Sequence, residues 1–175
     1  VIIDILTGQV QSGKTTLLQK ISIELDRKGI RVGGFLSLSV YEASRVDGYD
    51  LYDIEREMKH PFLRKFGEEG WERTGPYFFI PDTLALAKSI VLETREVEIC
   101  FVDEVGPAEL RARGIWPALA AIHGRRAPDL FLTVRASLLD SYLERLGKKI
   151  GKIFDVKDED VHPQIIAHLE QKYLD

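Results

Sequence analysis

Two glycines, a lysine and a hydroxyl stand at fixed spacing near the start of the chain, in Gly8-Gln9-Val10-Gln11-Ser12-Gly13-Lys14-Thr15. The pattern is G-x-x-x-x-G-K-[ST], and each fixed position has a chemical reason. Gly8 and Gly13 lack a Cβ, so the backbone can curl around an anion with successive N–H groups and a helix N-terminus aimed at a β-phosphate. Lys14 places a mobile ammonium on β- and γ-phosphate oxygens, and the Thr15 hydroxyl suits a Mg²⁺ that bridges them. The stretch from Gly8 through Gln9, Val10, Gln11, Ser12, Gly13, Lys14 and Thr15 to Thr16 is therefore the expected binding segment for ATP, GTP or another nucleoside triphosphate.

A second constellation complements it. Asp103-Glu104 closes the apolar run Ile99-Cys100-Phe101-Val102. Asp103 is the candidate second Mg²⁺ anchor, acting through water because that ion sheds its hydration shell reluctantly. Glu104 is the candidate catalytic carboxylate, orienting a water in line with the γ-phosphate and accepting its proton late. Charge spreading over the equatorial phosphate oxygens calls for a cation. Arg135, directly after an apolar strand, is the preferred catalytic arginine, with Arg111 and Arg113 as the other candidates. Lys148, Lys149 and Lys152 read as a solvated basic loop. His60, His123, His162 and His168 show no metal-ligand spacing with each other or with Cys100, so no zinc site is expected. Tyr49, Tyr52, Trp71, Tyr77, Phe78 and Phe79 read as packing among strands in preference to a base-stacking platform.

These groups need a scaffold. Val1 to Leu6 reads as a strand leading into the loop, and Leu17, Leu18, Ile21 and Leu25 mark one face of a helix ending near Gly29. Arg31 to Val40 predicts a strand in which Gly33-Gly34 permits close backbone approach. Tyr41 to Gly75, dense in charge and aromatics, predicts an antiparallel, lid-like insertion, with Asp47-Gly48 as its hairpin signal. Pro76 to Ile80 predicts a short strand, and Pro81-Asp82 opens a helix burying Leu84, Ala87, Val91 and Thr94. Ile99 to Val102 has the unbroken apolar character of a strand covered on both faces. Then come a helix over Ile115 to His123 stopping at Gly124, a strand Leu130–Val134, and a helix on Leu139, Tyr142, Leu143 and Leu146 closed by Gly147. A strand Lys152–Val156 and a helix Val161–Leu174 complete the alternation. This order argues for an α/β fold: a mainly parallel sheet with helices on both faces and the site at the strands' carboxyl ends. Leu130–Val134 is the expected strand between the loop strand and the carboxylate strand.

A chain of 175 residues carrying a net charge of −4 fits one domain, residues 1–175, with an ordinary core. That charge disfavours nucleic acid held by general electrostatics. Cys100, the single cysteine, excludes an intramolecular disulfide and reads as a small buried hydrophobe. No stretch has the apolar length of a membrane span, and no signal peptide is apparent, which together predict a cytoplasmic protein. Composition leaves oligomeric state and a protein partner open.

Several separate segments resemble one known family, the P-loop nucleoside-triphosphatases of the thermophile type, whose animal member is called cancer-related nucleoside-triphosphatase. Gly8 to Leu17 looks like the family's phosphate loop, Val32-Gly33-Gly34-Phe35 like its next strand, and Arg73-Thr74-Gly75-Pro76-Tyr77 like its short stretch ending in tyrosine. Val102-Asp103-Glu104-Val105-Gly106-Pro107-Ala108-Glu109-Leu110 looks like its D-E-[IV]-G-x-x-E-L signature. The resemblance implies a P-loop NTPase three-layer αβα sandwich and a slow, nucleotide-promiscuous hydrolase using Mg²⁺. It also draws attention to Glu109. The chain departs from the pattern at Lys157-Asp158-Glu159-Asp160-Val161, where family members commonly carry Asn-Arg, and at Leu36 to Val40, which lacks a Glu-Val-Arg run. A small-molecule or nucleotide kinase, or a nucleotide-dependent binding switch, are the alternative readings of the same loop.

Overall fold

The computed structural model of the protein describes residues 1–94, 96–122 and 127–174. In chain order run β1 (Ile3–Gly8), α1 (Lys14–Arg27), β2 (Val32–Glu42), β3 (Arg45–Asp53), β4 (Met58–Arg64), β5 (Arg73–Thr74), β6 (Tyr77–Phe79) and α2 (Pro81–Glu93). They are followed by β7 (Ile99–Val105), α3 (Pro107–Leu110), α4 (Trp116–Ala121), β8 (Asp129–Arg135), α5 (Leu139–Leu146), β9 (Ile150–Asp155) and α6 (Val161–Tyr173). The strands make one sheet in the order β5-β6-β4-β3-β2-β7-β8-β1-β9. β2, β7, β8, β1 and β9 pair in parallel, and β3, β4, β6 and β5 continue the sheet antiparallel.

Alternation along the central strands divides the core in two. Phe101 of β7, Phe131 of β8 and Phe154 of β9 point to one face, where Leu18, Ile21 and Leu25 of α1 and Ile165 and Leu169 of α6 cover them. Cys100, Val102, Leu130 and Leu132 point to the other, under Leu84, Ala87 and Val91 of α2, Leu119 of α4 and Tyr142 of α5. Successive residues of a strand face opposite ways, so doubly covered strands must be apolar throughout. The result is a three-layer αβα sandwich, and β8 lies between β1 and β7 as the sequence predicts.

The insertion differs from its sequence reading at Asp47-Gly48. Asp47-Gly48 is not the hairpin turn: both residues lie inside β3, and the β2–β3 turn is Ala43-Ser44, with φ of 46° and 63°. Asp47 is the extra residue of a bulge between the pairs Val40–Gly48 and Tyr41–Val46. Gly48 serves close approach instead, since a Cβ there would lie 2.2 Å from the Leu63 carbonyl oxygen. The structure also adds α3, a short turn that periodicity could not reveal, and starts α4 at Trp116 with Pro117 in its first turn. The expected helix stop at Gly124, and His123, lie outside the described residues.

Gly34 is the tightest point of the β2–β7 pairing, at φ +95° with a Cβ position 2.0 Å from the Phe101 carbonyl oxygen. Gly34→Ala should cost roughly 2–5 kcal/mol in urea unfolding, because positive φ and a backbone clash coincide. Gly70→Ala, at φ +86° in open space, should cost only about 1–2 kcal/mol.

Candidate active site

Parallel pairing brings the carboxyl ends of three strands together. Gly8 of β1 registers with Arg135 of β8, and Val134 of β8 with Val105 of β7. Between β1 and α1 the loop turns on Gln11 and Gly13, whose φ values are 56° and 91°. Lys14 is 3% exposed. Its ammonium donates to the Gln9 carbonyl at 2.6 Å and the Gly8 carbonyl at 3.3 Å, which holds it over the start of the loop. Burial lowers the Lys14 pKa, while Glu104 and Asp103 pull it up.

Asp103 is the most enclosed acid of the group, at 1% exposure. Oδ2 accepts from the Thr15 hydroxyl at 2.7 Å and the Ser37 N–H at 3.0 Å, and Oδ1 accepts from the Thr133 hydroxyl. Burial raises its pKa and these donors oppose that rise. Thr15 and Asp103 thus present two hard oxygens side by side. That donor set fits Mg²⁺, which takes few protein oxygens and keeps several waters. Among the described residues no group of three or more His, Cys, Asp or Glu side chains could hold a metal ion unaided.

Glu104 owes its direction to a break in the sheet. β7 takes three steps from Val102 to Val105 while β8 takes two from Leu132 to Val134, so one residue is extra. A bulge re-aims a side chain at the end of a strand. Glu104 absorbs the bulge at φ +60°, and its N–H donates to the Thr133 hydroxyl at 2.7 Å. Thr133 therefore accepts from one acid's backbone and donates to the other's carboxylate. Glu104 Oε2 lies 3.6 Å from Arg135 Nη2, and the buried Arg135 Nε has no hydrogen-bond partner among the described residues. Burial, and then the charge of Asp103, raise the Glu104 pKa, while Arg135 and Lys14 lower it.

Lys14, Thr15 and Glu104 share a cavity of about 130 Å³. Gln11, Ser12, Gly13, Lys14, Thr15 and Thr16 line it from the loop and α1, Glu104 from the end of β7, and Ser39, Tyr41 and Tyr49 of the β2–β3 hairpin supply a further wall. Gly8 and Gln9 contribute the carbonyls that hold Lys14, and Val10 is half-exposed at the loop tip. Arg111 and Arg113 are exposed beyond α3, and Lys148 and Lys149 beyond α5; none lines the cavity. Lys152 lies over the Phe154 ring. A larger concavity, about 530 Å³, runs along α1 between Gln19 and Arg27 and contains no residue of the loop. Chemistry, not size, marks the site.

Sequence reading missed Thr133, Ser37 and the hairpin wall. Thr133 had a signal: it is the one polar residue in the run Leu130–Val134. Ser37 had none, because it acts through its backbone N–H.

A family model described as "NTPase" matches residues 4–166, a span that takes in the loop, the hairpin and both acids. The chain belongs to that NTPase family. Among individual proteins of similar sequence, the nucleoside-triphosphatase THEP1 of Methanopyrus kandleri is 30% identical over 129 residues, covering 73% of this chain and 71% of that protein. THEP1 of Hyperthermus butylicus is 29% identical over 164 residues, 91% of this chain and 86% of that one. The fold is shared with a human cancer-related nucleoside triphosphatase, at a TM-score of 0.73 and 23% identity over 98% of both chains. It is shared equally with THEP1 of Aquifex aeolicus, at 0.73 and 23% over 97% of this chain and 99% of that one.

Outside the cavity, the NTPase signature ends in a second buried acid. Glu109, 2% exposed, accepts from the Gly106 N–H at 2.9 Å and the Ile115 N–H at 3.1 Å, tying both ends of the segment around α3. Burial pushes its pKa up to about 7, against the pull of those donors. A carboxyl raised on folding adds stability that is complete below about pH 4.5 and is lost as pH rises through about 7. Relative to Glu109→Gln, the wild type should therefore lose on the order of 3 kcal/mol of unfolding free energy between those limits, read from urea melts across the range.

Proposed function

We propose that this chain hydrolyses nucleoside triphosphates to diphosphate and phosphate, that it requires Mg²⁺, turns over slowly, and accepts more than one base. The observation that carries the reading is that Lys14, Thr15 and Glu104 line one small cavity at the carboxyl edge of the parallel strands, with Asp103 bonded to Thr15 and Arg135 beside Glu104. A volume near 130 Å³ suits phosphates and not a base. Recognition confined to the polyphosphate supports a broad choice of nucleotide.

In this reading the loop amides and the Lys14 ammonium hold the β- and γ-phosphates. Thr15 and Asp103 hold Mg²⁺, which supplies charge neutralisation to the phosphate oxygens. Glu104, aimed into the cavity by its bulge, orients a water against the γ-phosphorus and accepts its proton as the new P–O bond forms and the bond to the bridging oxygen breaks. Arg135, loosely paired with Glu104 and with Nε lacking a hydrogen-bond partner among the described residues, turns to the charge gathering on the γ-oxygens. Asp103 acts only as an anchor, since Thr15, Ser37 and Thr133 occupy it from three directions.

Phosphate release should be measured with ATP, GTP, CTP and UTP, with rates for the four expected within about tenfold of one another. Chelating Mg²⁺ or introducing Lys14→Ala should abolish release. Glu104→Gln should lower kcat by about 10²-fold or more while nucleotide still binds, and Arg135→Ala by about 10³-fold. Full turnover in Glu104→Gln would remove that residue from its role. Tight binding of all four nucleotides with no release by the wild type would favour a binding switch instead.

A further inference from the structure

The hairpin wall of the cavity carries a polar group that the reaction above does not use. Tyr49 is 6% exposed, yet it lines the cavity together with Lys14, Thr15 and Glu104. Both its ring and its backbone are held. Tyr77 meets it edge-on at 5.3 Å between centroids, and Arg64 Nη1 takes its backbone carbonyl at 2.8 Å while Nη2 binds Asp50. β4 is drawn against this point by the missing side chain of Gly48 and by a bulge beside the Tyr49–Leu63 pair. The ring thus packs on Tyr77, and the backbone carbonyl is already engaged. The hydroxyl is the one polar feature it can offer the cavity.

We propose that Tyr49 is a substrate-contacting residue of this site, its hydroxyl donating to the terminal phosphate of a bound nucleoside triphosphate from the hairpin wall. The inference deepens the hydrolase reading and rests on it. The terminal phosphate is singled out by position: the loop amides beside Gly13 and Lys14 would embrace the inner phosphate, whereas the Tyr49 phenol lies close enough to Glu104 to feel its charge. Electrostatics agree with a donor. Burial, and next to it the negative charge of Glu104, push the phenol up to about 12, so it keeps its proton at any working pH. A neutral donor near two acids repels nothing, and the phosphate oxygens supply the strong acceptor that the wall of Ser39, Tyr41 and Tyr49 lacks. An all-structural tyrosine would need no hydroxyl here, since phenylalanine makes the same edge contact with Tyr77.

The test compares Tyr49→Phe with the wild type in three readouts: the Kd for MgADP, the Kd for Mg²⁺ with a non-hydrolysable ATP analogue, and kcat for phosphate release. MgADP, which lacks the contacted group, should bind both proteins within about twofold. The analogue's affinity or kcat should fall about tenfold or more, the scale of one hydrogen bond to a charged acceptor. Tyr77→Phe is the packing control and should match the wild type throughout. The proposal is overturned if Tyr49→Phe leaves both the triphosphate-to-diphosphate affinity ratio and kcat unchanged, if ADP and analogue weaken equally, or if Tyr77→Phe reproduces the loss. A wild type that binds but releases no phosphate would defeat the hydrolase reading alone, because the affinity ratio still reports on Tyr49.

Discussion

A carboxylate buried away from water must be surrounded by donors or lose its charge, and Asp103 meets that demand by drawing three separate segments to one point. Thr15 arrives from the start of α1, Ser37 from β2 and Thr133 from β8. None of these can be moved without leaving a carboxylate oxygen short of a partner. The same three bonds set the distance from the phosphate loop to the acid strand, so the requirement of one buried charge fixes the geometry of the whole cavity. Thr133 extends the control to Glu104, whose N–H it accepts while donating to Asp103. One hydroxyl therefore ties the backbone of one acid to the carboxylate of the other.

The bulge at Glu104 is a second consequence of this arrangement. In regular register the residue after Asp103 would point to the face of Cys100 and Val102, into the layer of α2, α4 and α5. The extra residue in β7, at a left-handed φ, keeps Glu104 at the carboxyl edge beside Arg135. Left-handed backbone costs a non-glycine residue about 1–2 kcal/mol. The strain is carried by a residue pinned at its N–H and bounded by the buried Val102 and Val105. Local sequence preference would place a glycine here, and the chain carries Glu104 instead.

That split explains what could be read from the residues in advance. The phosphate loop and the pair Asp103-Glu104 are contiguous, so their chemistry was visible without a fold. The position of β8 between β1 and β7 followed from the same motifs. Helices α1, α2, α5 and α6 were visible because each buries a regular stripe. The hairpin was misplaced because Asp47-Gly48 has the composition of a tight turn, while Gly48 in fact makes room for the β4 backbone and Ala43-Ser44 makes the turn at positive φ. Long-range contact overrode local propensity. The Ser37 N–H, the Glu104 bulge and the hairpin wall depend on register between strands distant in sequence, and no spacing along the chain encodes that directly.

Register also determines why β8 stands where it does. If β1 and β7 were neighbours, the loop and the two acids would be one strand spacing apart, about 4.8 Å, with no backbone between them to carry another side chain. With β8 between them the separation doubles, and Thr133 and Arg135 occupy the gap on alternate residues of the same strand edge. The first satisfies the buried acid from below; the second brings a cation to Glu104 from beside Gly8. The loop and the acids are therefore two strand spacings apart, and the cavity carries opposite charges, Lys14 and Glu104, in its lining. This width has a folding consequence: the site cannot exist until β8 has paired on both edges, so it forms only with the assembled central sheet and not within any contiguous segment.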